Sequence, residues 1–141
     1  PVERARSTLG SGSEPGASPK ALSKELRTLM WENVGPFRDE QGLSAALARI
    51  RTMRRHDLGT LAVGDEAAFN TSLVEWFELR NGLLAAEAVV LAALGRRESR
   101  GAHQRIDFVE TESNLQRPQV ISLLGDNMVT AFDSHRARTA I

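Results

Sequence analysis

Residues 69–95 read FNTSLVEWFELRNGLLAAEAVVLAALG, and the spacing of their apolar residues decides the fold class. Trp76, Leu79, Leu83, Ala86, Val90 and Ala93 alternate steps of three and four, the seam of a helix that packs on other helices. Leu73, Phe77, Leu84, Ala88 and Leu91 make a second stripe, with Arg80 and Glu87 between the two. At about 100° per residue the stripes lie well apart. A helix apolar over most of its circumference is buried on more than one side. In a chain this small, two partner helices cover one stripe. The other stripe calls for further cover, which can come from outside the chain. The spacing predicts a helix from Asp65 or Phe69 to Leu94, stopped by Gly95. Arg80 and Glu87 are seven residues apart and nearly aligned; an interhelical ion pair and a contact at a domain interface are both open to them.

Two further helices are predicted upstream. Ser18-Pro19 suits an N-cap followed by the first helical position, where a missing N–H costs nothing. Leu22, Leu26, Leu29 and Met30 follow on one face, and Gly35-Pro36 ends the run. Asp39 is a cap for the second helix, whose stripe is Leu43, Ala46, Ile50 and Met53. Its far end is basic (Arg49, Arg51, Arg54, Arg55 and His56), and cations near a helix C-terminus interact favourably with the macrodipole. Gly59 to Gly64 reads as a loop.

Downstream of Gly95 the helical period is lost. Arg96 to Glu112, RRESRGAHQRIDFVETE, is a dense polar loop. Val120 to Leu124 and Met128 to Phe132 are β-prone runs around Gly125-Asp126-Asn127, which predicts a hairpin. An isolated hairpin is marginal in water, so it should dock on the helices or on a partner. Residues 1–18, rich in Gly, Ser and Pro, read as a flexible linker, and the last eight residues, SHRARTAI, should fray. The expected organisation is therefore a linker over 1–18, a three-helix domain with its loop over 19–112, and a hairpin with tail over 113–141. The fold class is mainly α: an up-down-up three-helix bundle of the spectrin-repeat kind, with a charged loop and a short C-terminal β-hairpin.

Composition narrows the chemistry. The 141 residues carry 18 Lys plus Arg and 18 Asp plus Glu, for zero formal net charge. That disfavours a general nucleic-acid binder, although Arg49 to His56 could meet phosphates locally. With no cysteine, disulfides, thiolate zinc sites, iron–sulfur ligation by this chain and a cysteine nucleophile are excluded. The longest apolar run, Leu83 to Leu94, is broken by Glu87, while a membrane span needs about 20 residues. A cytoplasmic setting fits, and no direct membrane insertion is expected.

The segment Arg96 to Asp107 is the candidate site. Arg96, Arg97, Arg100 and Arg105 stand there with Glu98, Ser99, His103 and Asp107. Arginine forks can grip a carboxylate or phosphate. The same composition suits an ordered loop that hydrogen-bonds backbone, and that structural role is favoured; Gly101 would let the chain turn. His103 near Asp107 could act as a general base, but one such pair is common by chance, and no catalytic residue is assigned. No histidine–carboxylate cluster has metal-ligand spacing, so no metal site is assigned.

Several of these stretches carry a resemblance. LMWENVG at Leu29 to Gly35 with Arg38-Asp39, FNTSL at Phe69 to Leu73, ELRNGLLAAEAV at Glu78 to Val89 and RRESRGAHQRID at Arg96 to Asp107 occur in this order. Together they resemble the C-terminal helical domain of the flavoprotein subunit of fumarate reductase and succinate dehydrogenase, a family that includes L-aspartate oxidase. The likeness runs from Leu22 to Phe108, and the tail hairpin is similar too. GAHQR is closer to fumarate reductase and succinate dehydrogenase than to L-aspartate oxidase. Val109 departs from the pattern, since many relatives have proline there.

The resemblance implies a parent oxidoreductase that binds FAD and a dicarboxylate in other domains, and it assigns neither cofactor binding nor catalysis to this chain. It implies an interdomain interface at Asn81, Glu98, Ser99, Arg100, Gly101, His103, Arg105 and Asp107, packing on the flavin-binding domain. An iron–sulfur subunit is a further candidate partner, through which the complex could sit peripherally at the inner membrane. A stand-alone protein-binding module derived from this domain is the alternative, and an L-aspartate oxidase C-terminal domain the second alternative. A helical nucleic-acid binder comes last.

Overall fold

The computed structural model describes residues 18–61, 63 and 70–133. The expected linker over 1–18, apart from Ser18, the fraying tail, and the earlier starts of the third helix at Asp65 and Phe69 lie outside those residues.

Helix α1 spans Pro19–Val34 and opens as the sequence predicts, with the Ser18 hydroxyl accepting the Ala21 N–H and Pro19 in the first turn. Helix α2 spans Glu40–Thr52, and the Asp39 carboxylate caps it by accepting the Gly42 N–H. A five-residue π-helical stretch, Met53–Asp57, and a single helical turn, Leu58–Thr60, carry the chain past the expected helix end. Helix α3 spans Thr71–Gly95. Its start is set by Asn70, whose side chain accepts the Leu73 N–H and satisfies one of the open donors at the helix end.

The three helices pack on one another. Their directions follow from the contacts at their ends. Arg49 late in α2 bonds Glu25 early in α1, at 2.7 and 3.0 Å. Trp76 early in α3 donates its indole N–H to the Leu58 carbonyl, just after α2. Arg105 joins Glu40, which opens α2, to the Ala93 carbonyl near the end of α3. Successive helices therefore run antiparallel, up-down-up. The core is built from the predicted stripes: Leu22 and Leu26; Leu43, Ala46, Ile50 and Met53; Leu79, Leu83, Ala86, Val90 and Ala93.

Glu87 shares this buried face and does not meet Arg80. It has no exposed surface. Arg51 Nε donates to it at 3.0 Å, and Arg54 Nε lies 2.8 Å from its other oxygen, off the hydrogen-bond direction. Arg49 also reaches Asp57 at 2.6 Å. The basic residues at and just past the end of α2 thus answer acids of this chain, Glu87 in the core among them, and the macrodipole is only part of their reason.

Two short β pairings complete the fold. Strands β1 (Phe37–Arg38) and β2 (Gln104–Arg105) run parallel, with the Gln104 N–H on the Pro36 carbonyl and the Ile106 N–H on that of Arg38. Strands β3 (Gln119–Leu124) and β4 (Asn127–Phe132) form the predicted hairpin. Its turn is two residues long, since Asn127 pairs with Leu124; Gly125 takes a φ of 60°, the left-handed region that glycine reaches without strain. The hairpin packs on α3, as its marginal stability alone in water required. Its turn is held by Arg54 on the Asp126 carbonyl at 2.5 Å and by Arg55 on the Asn127 side chain at 3.0 Å.

Candidate functional site

The segment after α3 is an ordered loop in which nearly every charged group is used to fold it. The chain reverses at Arg100 to His103, whose backbones exchange hydrogen bonds of 2.8 and 3.0 Å. Gly101 turns this corner at a φ of 57°. Ser99 is buried beneath the turn; its hydroxyl accepts the Arg105 N–H at 2.8 Å and lies 2.9 Å from the Phe108 carbonyl it donates to.

Two buried charged residues organise the loop. Glu98 has no exposed surface. It accepts from Arg96 at 2.6 Å, from Arg100 at 3.1 and 3.0 Å, and from the Glu112 N–H at 2.8 Å. Burial opposes its charge, but Arg100, the Glu112 N–H and Arg96 together outweigh it and hold the carboxyl down to about 2. Arg105 is buried over the end of the helix bundle. Its guanidinium donates twice to Asp107 at 2.7 Å, once to Glu40 at 2.9 Å and once to the Ala93 carbonyl at 3.0 Å, and lies 4.8 Å from the Phe108 ring centre. Asp107 also accepts the Glu40 N–H at the start of α2. Its carboxyl is held down to about 2, chiefly by Arg105.

His103 and Asp107 do not form the acid–base pair that their spacing allowed. The His103 Nε2 lies 3.0 Å from the Arg96 carbonyl, to which it donates. Burial, then the charges of Arg38, Arg105 and Arg96, push its pKa below the usual histidine value despite that bond. Asp107 is committed to Arg105.

The candidate interface residues divide by place. Glu98, Ser99 and Arg105 are interior braces, whereas Gly101 and Asp107 are exposed and Arg100 and His103 half-buried. Asn81 stands apart, exposed in the middle of α3 beside Arg80.

A second feature adjoins the loop. An open groove of about 650 Å³ runs between α1 and α3. Met30, Trp31 and Val34 line one side, Gly82, Ala85 and Val89 the other, and Arg38 and Ala102 stand at the end near the loop. Sequence periodicity missed it. Trp31 lies off the stripe of α1, and Arg38 meets the loop only because β1 pairs with β2. The run of small residues Gly82, Ala85 and Ala86 was the available signal, since small side chains leave space where helices meet.

Comparisons with known proteins place these features in context. The family model described as "Fumarate reductase flavoprotein C-term" matches residues 23–125. A CoM/CoB fumarate reductase chain of Methanothermobacter marburgensis is 40% identical over 99 residues, 70% of this chain and 18% of that protein. "L-aspartate oxidase 2-b, chloroplastic" of Nicotiana tabacum is 36% identical over 110 residues, 72% of this chain and 16% of that protein. Among solved structures, the Mycobacterium smegmatis Sdh1 complex in its apo form superposes with a TM-score of 0.80 at 31% identity, over 93% of this chain and 23% of that one. The chain thus spans less than a quarter of the length of each.

Proposed function

Since this chain belongs to the C-terminal domain family of fumarate reductase and succinate dehydrogenase flavoproteins, we propose that it is a non-catalytic domain that packs on a flavin-binding domain and helps a partner subunit dock. The observation that carries this reading is the family match over residues 23–125 in a chain that spans only 18% of a 40%-identical relative. Relatives of that kind have most of their length elsewhere, and the flavin chemistry belongs there.

The fate of the charged groups supports a scaffold role. Arg105 and Asp107 fasten the loop to the start of α2 and the end of α3, and Glu98 fastens it to Arg96, Arg100 and the Glu112 backbone. The result is a stiff corner presenting Gly101 and Ala102 outward, suited to shape-complementary packing. A dinucleotide site of the Rossmann kind is built on a parallel sheet with a glycine-rich turn at a helix N-terminus; the parallel pairing among the described residues is two residues per strand, which supports assigning FAD to the rest of the parent protein. No described helix is long and apolar enough to cross a membrane, so membrane association of the complex would come through partner subunits.

The intact mass of the native protein in its source cells tests this reading. A mass several times 15.4 kDa with bound flavin, or a separate flavin-binding chain that co-purifies, is expected. A lone polypeptide near 15.4 kDa with no flavoprotein attached would overturn it and favour a stand-alone binding module. The L-aspartate oxidase relative keeps a second parent activity open; fumarate reduction against L-aspartate oxidation by the purified flavoprotein separates the two.

A further inference from the structure

The α1–α3 groove holds an apolar surface and a cation that the described residues leave unanswered. Trp31 is 80% exposed and Val89 47% exposed at its rim, where apolar area left in water favours being covered. Arg38 lines the groove half-buried, and no carboxylate pairs with its guanidinium among the described residues; its Nε is enclosed, so the terminal nitrogens are the donors open to a ligand. Its backbone is pinned by the β1–β2 pairing, so the side chain cannot retreat far. Burial and the nearby charge of Arg105 push its pKa below the usual arginine value. The groove's other charged residue is also a cation, Arg27, and no carboxylate lines it among the described residues. Covering a half-buried guanidinium without a counter-ion would be unfavourable, and a bidentate carboxylate is the ligand that a guanidinium fits.

We propose that this groove seats a segment of the flavin-binding body in which an acidic side chain is flanked by apolar ones, with the carboxylate on Arg38 and the apolar side chains on Trp31 and Val89. The inference rests on the reading that this chain packs on such a body. That body supplies the length which this chain lacks relative to its relatives. A second copy of the chain suits the groove poorly, because its own groove offers cations and no acid. The chain's last eight residues, SHRARTAI, carry two arginines and also mismatch in charge.

Photo-crosslinking from position 89 in the native protein tests the proposal. A benzophenone-bearing phenylalanine replaces Val89, which is exposed and outside the core, and the linked peptide is identified by mass spectrometry. The expected product joins position 89 to a flavin-binding segment that contains Asp or Glu within a few residues. Arg38→Glu should lower its yield at least tenfold, and Arg38→Lys should keep it within about threefold of the parent. Ala85→Trp, which fills the groove from its rim, should abolish the product while leaving the unfolding midpoint unchanged. A product with a second copy, with residues 1–17, or with an acid-free segment would overturn the proposal, as would a yield indifferent to Arg38→Glu. If the flavin-binding region co-purifies and position 89 never links to it, the groove assignment fails alone. If no flavin-binding region accompanies the chain, the packing reading has failed first.

Discussion

At the scale of single residues, the loop after α3 shows how a charge can be structural and buried. Glu98 is ionised inside the protein because four donors converge on its two oxygens. Its carboxyl sits at about 2 in the folded chain, against an ordinary value of 4.5, and that of Asp107 at about 2 against 3.8. The unfolded chain therefore takes up protons first as pH falls. The stabilisation from both groups is complete above their ordinary values and is lost between those values and about 2. Urea unfolding followed from about pH 6 to about pH 2.5 should show stability falling below about pH 4.5, and Glu98→Gln should flatten that fall while lowering stability at the upper end. All the interface candidates except Asn81 lie between Glu98 and Asp107, so their clustering was visible in sequence. Which of them face inward was not, because Glu98 and Glu110, or Arg100 and Arg105, look alike until the chain is folded.

At the scale of elements, α2 and α3 are joined by a charge cluster set into an apolar seam. Glu87 interrupts the stripe Leu83, Ala86, Val90, and its partners Arg51 and Arg54 come from the basic end of α2. Removing one member of a buried pair strands the other's charge, at a cost of about 3–5 kcal/mol. Glu87→Ala should therefore destabilise by about that amount, read from the urea midpoint. Arg54 also holds the hairpin turn through the Asp126 carbonyl. The same variant should consequently speed amide exchange in β3 and β4, which a simple cavity in the core would not do. Helix periods and hairpin composition told where these elements lie to within a few residues. They did not say that the basic end of α2 answers Glu87, since Arg51 and Glu87 are 36 residues apart in sequence.

At the scale of the whole molecule, Arg105 is the closure. It lies on the loop, yet it bonds the start of α2 through Glu40 and the end of α3 through the Ala93 carbonyl. The loop, both helix ends and the β1–β2 pairing thereby form one rigid end of the bundle, beside the proposed docking groove. A small domain has only about 5–15 kcal/mol of stability. Arg105→Ala, which empties a buried site and leaves the Ala93 carbonyl without its donor, should cost about 2–5 kcal/mol. Arg105→Lys should recover only part of this, because an ammonium cannot fork onto Asp107 while reaching two other acceptors. Thermal unfolding of the two variants checks the order: Ala below Lys below parent.

The three helices, their caps at Ser18 and Asp39, the core stripes, the hairpin and the family were all legible in the linear sequence. Each is written in local spacing, in a turn residue or in a motif whose order is preserved, and these signals need no knowledge of distant partners. Long-range packing makes Arg105 a buried brace, pairs Glu87 with Arg51 and Arg54 instead of Arg80, and separates His103 from Asp107. It also sets Arg38 beside an open groove with no carboxylate paired to it among the described residues. The physical reason is common to all four. The energy of a charged side chain is set by what surrounds it after burial, and those surroundings are assembled from segments tens of residues apart.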